Sequence, residues 1–363
     1  MGHHSSFGRP ELAVDARLPT FSTTYQLLPY TKVVSHVARE EMMPRVEYVE
    51  SGIRIVAAHK GAVWPLVAAC LPGHKASVLS TSGEWSEEIH RWDALAGDLL
   101  CTYDEINVPA SSFAVSPSGN GGAVLAAGTE SGVHCWNFET GEHLFESAAL
   151  HGSTIWDVTM AALPTGRTLL LGAGADDRIY RWDAATGEPL GDALIGHCNS
   201  VKSVLAFRGA NGRMTVASGD DNGAVLQWDA QSGELLNLES PEFDSMVTTL
   251  AHLTLADGRI LLVGGSPRGE VRCWDATTGE SIGRPINTGG GLPTLAAVVT
   301  RGEPRIYTSR DDDVIAQWNA LTGELVDESP TGLSLAAVQM LDGDVLLATG
   351  TGEGDIFARR IGA

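Results

Sequence analysis

Along most of the chain, short apolar and β-branched runs alternate with clusters of turn-forming residues. TTLAHLTL, RILLVGG and EVRCWDA are strand-length runs of this kind. Asn211-Gly212 and Asp257-Gly258 fit two-residue hairpin loops, which need positive φ at both central positions. The recurring D-A-x-T-G-E segment suits a three- to five-residue loop, with Gly187 or Gly279 left-handed. No stretch of 10–15 residues between these runs carries helical periodicity, which argues against a βαβ design. The pattern predicts an all-β protein of many short antiparallel strands.

The strands are organised by a repeat. The blocks IHRWDALAGD, VHCWNFETGE, IYRWDAATGE, VLQWDAQSGE, VRCWDATTGE and IAQWNALTGE carry Trp92, Trp136, Trp182, Trp228, Trp274 and Trp318 at steps of 44, 46, 46, 46 and 44 residues. A seventh copy, GEGDIFARR, follows with Arg359 at the tryptophan position.

A period of this length, with four strands ending in Trp-Asp, resembles the WD-repeat (WD40) β-propeller family, in a bacterial, actinobacterial-like style (RWDAATGEPLG). The resemblance covers about residues 53–360 and implies a seven-bladed β-propeller of four-stranded antiparallel blades. In the family each repeat is offset from its blade, so Ile53 to Ala57 is expected beside Asp355 to Arg359, closing the ring without a long unpaired edge. The family's Gly-His element occurs as Gly196-His197, with partial matches at His59 and His151. Its hydrogen-bonded set is nearest to complete in the fourth blade: His197, Ser218, Asp221 or Asn222, and Trp228. The position before each tryptophan is Arg91, Cys135, Arg181, Gln227, Cys273 and Gln317, a mixture with no explanation at the level of sequence beyond long stems that bury while their tips reach an edge.

The domain reading is a propeller over 51–363 and an N-terminal arm over 1–50. In the arm, TKVVSHVAREEMMP predicts a short helix over 32–43, capped by Thr31, striped by Val33, Val34 and Val37 and ended by Pro44.

Composition sharpens this picture. Against 24 Lys+Arg stand 45 Asp+Glu, a net charge of −21, which argues against a nucleic-acid partner and an anionic membrane surface. No apolar run reaches membrane-spanning length, and the first residues do not read as a secretory leader. Five scattered cysteines with no C-x-x-C pair fit neither a disulfide framework nor a zinc site, so a cytoplasmic home is expected. The 42 glycines are largely turn glycines.

Motifs for metalloproteases, nucleophile elbows and phosphate loops are missing. Gly350-Thr351-Gly352-Glu353-Gly354 falls in a strand-to-strand turn and opens no helix, so it reads as a turn, not a nucleotide cradle. Asp311-Asp312-Asp313 lacks calcium-loop spacing and reads as a solvated acidic turn. His74, His90, His134, His143 and His252 converge on no single repeat position, so no metal or cofactor is expected.

Family resemblance places the start of each innermost strand at the mouth of the central channel. Five residues after the Gly-His histidine, the seven repeats carry Trp64, Ser111, Trp156, Lys202, Thr248, Pro293 and Leu333. Asp157, Asp244 and Arg310 lie nearby in alignment as a polar rim. Trp64 and Trp156 either fill the channel as packing or anchor a partner, since an indole buries a large area for little entropy. The expected function is an interaction scaffold for a protein or peptide with basic patches; the alternative is a small-molecule enzyme (lyase, isomerase or hydrolase) with its site at that mouth. For catalysis the repeat histidines are minor candidates, His151 beside Trp156 and Asp157 foremost.

Overall fold

The seven periods fold as seven antiparallel sheets. The structure, a computed structural model, describes residues 43–363 apart from 50–51, 83–87, 105–108, 119–120, 149–152, 210, 237–239, 292–293, 330–331 and 363. These residues belong to the unit Met43–Ala363. Numbered in chain order, the blades begin with the strands Val63–Ala69, Ser112–Pro117, Ile155–Ala162, Val201–Arg208, Thr249–Thr254, Leu295–Thr300 and Ser334–Gln339. Each first strand contacts the next around a closed ring, and the remaining strands of its blade step outward. The molecule is a seven-bladed β-propeller, and the described residues contain no helix.

Closure follows the expected offset. Gly52–Val56 pairs with Ile356–Ile361, placing Ile53 opposite Ala358 and Ile55 opposite Ile356. A further strand, Arg45–Val49, then pairs with Gly52–Val56, so blade seven has five strands. This strand lies ahead of residue 51, where the repeat pattern places the start of the propeller. Val46 anchors it against the turn of blade one, where a Cβ on Gly97 would lie 2.5 Å from the valine. The helix expected over 32–43 lies, but for Met43, outside the described residues.

Two-residue hairpin loops are not what forms at Asn211-Gly212 and Asp257-Gly258. Only the glycines take positive φ (78° and 84°), and Gly212 N–H donates to Gly209 O as Gly258 N–H does to Leu255 O. A glycine closing a type I turn satisfies the strand twist without a second left-handed residue. In the D-A-x-T-G-E loops, Gly187 and Gly279 are left-handed at φ 73°, as predicted.

The core divides into seven clusters, one per blade interface. In six of them a repeat tryptophan packs against the preceding blade, as Trp228 does against Leu169 and Leu171. Between blades six and seven, Val298, Tyr307 and Ile315 meet Leu335, Val345 and Leu347 without one. The register explains this: Arg359 stands opposite Leu347 as Trp228 stands opposite Val216.

The position before the tryptophan acquires a role. Buried Arg91 donates to Phe138 O of the next blade (2.9 Å), to Ser77 Oγ and to Glu139 Oε1, with its guanidinium 3.8 Å from the Phe138 ring centre. Gln227 Nε2 donates across the next interface but two, to Ala276 O at 3.1 Å. Phe138 and Ala276 both stand two residues after their own tryptophan. The side chain thus satisfies a buried carbonyl of the following blade. Arg181 instead donates to Asp192 O of its own blade, while Cys135 and Cys273 simply pack in the apolar clusters.

In blade four, His197 Nε2 lies 2.6 Å from Ser218 Oγ, and Nδ1 lies 3.0 Å from Asp220 Oδ2. The acid is Asp220, not Asp221. Asp220 ends the second strand, buried, and its other oxygen accepts the N–H groups of Asn222 and Ala224, whereas Asp221 stands in the turn, 3.6 Å from Lys202 Nζ. Elsewhere the set is partial: Trp92 donates to Ser80 Oγ, Trp318 to Thr308 Oγ1 and Trp136 to Asp104 O. Blade five replaces it with carbon: Phe243 packs edge-on against Trp274, and Gly264 leaves room for the ring. There Trp274 Nε1 has no partner among the described residues.

Candidate functional site

The mouth residues owe their orientation to a repeated backbone irregularity. In blades one, three and four the pairing of first and second strand shifts between Val63 and Leu66, Ile155 and Asp157, and Val201 and Ser203. Trp64, Trp156 and Lys202 fall inside these shifts. A bulge frees its extra residue from the ladder and re-aims the side chain. Ser111, Thr248 and Leu333 sit just ahead of their strands, each tied by its N–H to the second strand, at Gly128, Gly265 and Gly350. Pro293 and His151 lie outside the described residues.

Blades three and four bring four groups together. Lys202 Nζ lies 4.0 Å from the ring centre of Trp156, whose Nε1 donates to Ser200 Oγ at 3.1 Å. Asp221 stands 3.6 Å from the same ammonium. Burial against the indole lowers the Lys202 pKa, and Asp221 opposes that shift. A cation over the indole face and a carboxylate behind it hold the lysine in place. Trp64, half-buried in blade one, stands apart from this group.

Other candidates are committed elsewhere. Ser111 Oγ donates to Ile155 O of the next blade. Asp157 lies between the inner strands of three blades: Oδ1 accepts from Ser112 Oγ (2.6 Å) and Val158 N–H, and Oδ2 accepts from Val204 N–H (2.9 Å). Burial raises its pKa, while these three donors act in the opposite sense. Arg310 reaches Asp312, Thr288 O and Glu328 of the outer strand of its blade. Asp244 is exposed.

One set of residues escaped the alignment although the alignment contained it. The position after each mouth residue reads Pro65, Ser112, Asp157, Ser203, Thr249, Thr294 and Ser334. Several of these knit neighbouring inner strands together: Ser334 Oγ donates to Val63 O at 2.7 Å, and Leu335 N–H donates to Thr294 Oγ1 at 3.0 Å. The signal was a run of hydroxyl residues at one repeat position, one place away from the residues chosen.

Both ends of the ring carry acidic turns. Because the strands are antiparallel, the turns joining second and third strands share the end at which the first strands begin. They carry Glu130, Asp176, Asp177, Asp221, Asp311, Asp312, Asp313 and Glu353, with Arg268 and Arg310 on the same turns. At the opposite end Lys75 pairs with Asp93 (2.8 Å), Arg167 with Asp183 (2.5 Å) and Arg213 with Asp229 (3.9 Å), and the third-to-fourth-strand turns expose Glu142, Glu188, Glu234, Glu280 and Glu324. Among the described residues no group of three or more His, Cys, Asp or Glu is arranged to hold a metal ion, and no helix is long and apolar enough to cross a membrane.

No protein-family model matches the chain, and no similar protein was found among curated proteins. Among solved structures, the chain is similar to a crystal structure of the computationally designed Ika8 protein, at 19% identity over 84% of this chain and 97% of that one, with a TM-score of 0.57. At that identity the likeness concerns the fold alone.

Proposed function

We propose that the chain is a WD-repeat propeller of bacterial type, preceded by an arm, that acts in the cytoplasm as a scaffold for a protein or peptide bearing basic patches. Propellers commonly serve as interaction platforms. The observation that carries this reading is half-buried Trp156 with Lys202 over its ring at the end of the propeller where the first strands begin, on a chain of net charge −21. Such a surface steers a cationic partner and makes its association salt-sensitive. Trp64 supplies a second half-buried aromatic on that end, and Asp244 an exposed acid.

The test is capture of partners from the native cell with wild type and with the double variant Trp64→Ala/Trp156→Ala. Loss of the specific partners, with an unchanged melting curve, is the expected result. An unchanged set of partners would overturn the placement of the site.

A further inference from the structure

The outer edges of the blades differ in length and charge. In blades three, four and five the fourth strand is two residues long (Leu194–Ile195, Leu235–Leu236 and Ile286–Asn287), too short a ladder to recruit another strand. Blade seven ends instead on the added strand Arg45–Val49, and no strand among the described residues pairs with its other side. Val46 and Glu47 are half-buried; the other residues of this strand, and Met43 and Pro44 ahead of it, are exposed, Tyr48 by 82%. Among the outer strands described, this one alone carries a charge of each sign, Arg45 and Glu47, which meet each other at 3.0 Å on the surface. The outer strand of blade six, Leu325–Ser329, carries only the acids Asp327 and Glu328.

A row of free N–H and C=O groups is a template for a further strand, and the side chains decide which strand fits. Tyr48 stands opposite Ile53, and Ile53 and Val46 both reach towards Gly97 of blade one, so Val46 and Tyr48 share one face. The turn that Val46 packs on also exposes Leu95 and Leu99. Met43, Arg45, Glu47 and Val49 share the other face. Consider the strand paired antiparallel with a second copy of itself. Centred on Arg45, arginine opposes arginine; centred on Glu47, glutamate opposes glutamate; like charges directly opposite are destabilising. Centred on Val46, Arg45 of each copy opposes Glu47 of the other, Tyr48 opposes Pro44, and Met43 opposes Val49. Only this register joins opposite charges on one face while Val46 meets Val46 on the other. We propose that the chain forms a homodimer through this edge, two Arg45–Val49 strands pairing antiparallel about Val46 so that the blade-seven sheets of two propellers run on into one.

Sedimentation equilibrium and amide hydrogen exchange on the full chain at rising concentration test this. The wild type is expected to dimerise, with amides in residues 45–49 exchanging more slowly as the dimer forms. Arg45→Glu sets two acids opposite each other at both ends of the pairing and should raise the dissociation constant at least about tenfold. Glu47→Arg sets two cations opposite each other and should do the same. An equimolar mixture of the two variants should recover the wild-type affinity, because each chain then meets the opposite charge at both places. The two side chains reach solvent (61% and 38% exposed), so melting temperatures should hold. Glu47 also lies 3.5 Å from Arg54; if Glu47→Arg melts lower, Arg45→Glu and the exchange pattern decide the matter. A wild type that stays monomeric at about 0.1 mM would overturn the proposal, as would an Arg45→Glu variant that dimerises as tightly as wild type. So would a dimer whose formation leaves exchange at residues 45–49 unchanged. Protection of those amides in a monomer would give the edge to another occupant and overturn it too.

Discussion

The interface between blades three and four and the interface between blades six and seven occupy equivalent places in one ring, yet they are filled differently. In the first, fully buried Trp228 packs under Leu169, Leu171 and Leu194, and its ring centre lies 5.5 Å from that of His197. In the second, the cluster is smaller and Arg359 stands at the tryptophan register. The difference falls at the one blade assembled from both ends of the chain. There five strands, two of them supplied by residues 45–56, secure a sheet that elsewhere has four. A ring whose ends are held by strand pairing tolerates an interface without its aromatic wedge.

Substitution at the two equivalent positions breaks this comparison most directly. Trp228→Ala should lower the unfolding free energy by about 3–5 kcal/mol, as for other buried aromatic truncations. Arg359→Ala, at a half-buried residue without a partner among the described ones, should change it by less than about 1 kcal/mol. Denaturant melts of both read the difference; equal losses would mean that the interfaces are equivalent after all.

The histidines of blades one and four sharpen it next. His197 has Asp220, whereas His59 bonds to Ser80 with no carboxylate partner among the described residues and stacks on His90 at 5.0 Å. Burial, helped by His90, lowers the His59 pKa from 6.5 to about 3. The folded value lies below the unfolded one, so the unfolded chain binds the proton more readily. Stability is therefore full above pH 6.5 and falls as the pH drops towards 3, by on the order of 2 kcal/mol at pH 5 for this one group. Asp93, Asp183, Asp220 and Asp229 are lowered below 3.8, so their contributions are lost only below that value. His134 and His252, lowered by burial, add to the loss at mild acidity. His59→Gln should accordingly flatten the melting-temperature profile between pH 6.5 and 4.5 without abolishing the slope. A profile identical to wild type would refute a neutral, buried His59.

The smallest effect concerns the residue before the tryptophan. Gln227 donates to a carbonyl of the next blade, and Gln317 has no such bond among the described residues. Gln227→Ala should cost about 1 kcal/mol and Gln317→Ala appreciably less, read from denaturant midpoints. A reversed order would show that the inter-blade bond is not what gives the position its weight.

Much of the architecture was legible because it is written six times. Six tryptophans at nearly constant spacing, strand-length runs and turn glycines define the blade, and the seventh copy its number, while the closing strand followed from the resemblance to the WD-repeat family. The channel-mouth alignment was less informative. It gave the position of Trp156 and Lys202, which do meet, but placed Asp157 on a rim where the fold makes it a clip between three blades. The acid on His197 was missed by one residue, since two adjacent aspartates differ only in which side of the strand end they occupy. Blade five shows the same limit: nothing local says that Phe243, from the loop entering the blade, takes the space beside Gly264.

The sequence by itself determined the seven-bladed ring, because periodicity, turn chemistry and strand propensity are local and repeat in register. Only the tertiary structure decided what each blade does with that common plan. Whether Arg91 satisfies its neighbour's carbonyl or Arg181 its own, whether Asp157 is free or bound, and whether Arg359 leaves a cavity are set by contacts between blades. Those contacts join residues some forty positions apart, or some three hundred at the seam, and depend on side-chain direction across an interface that no single repeat contains.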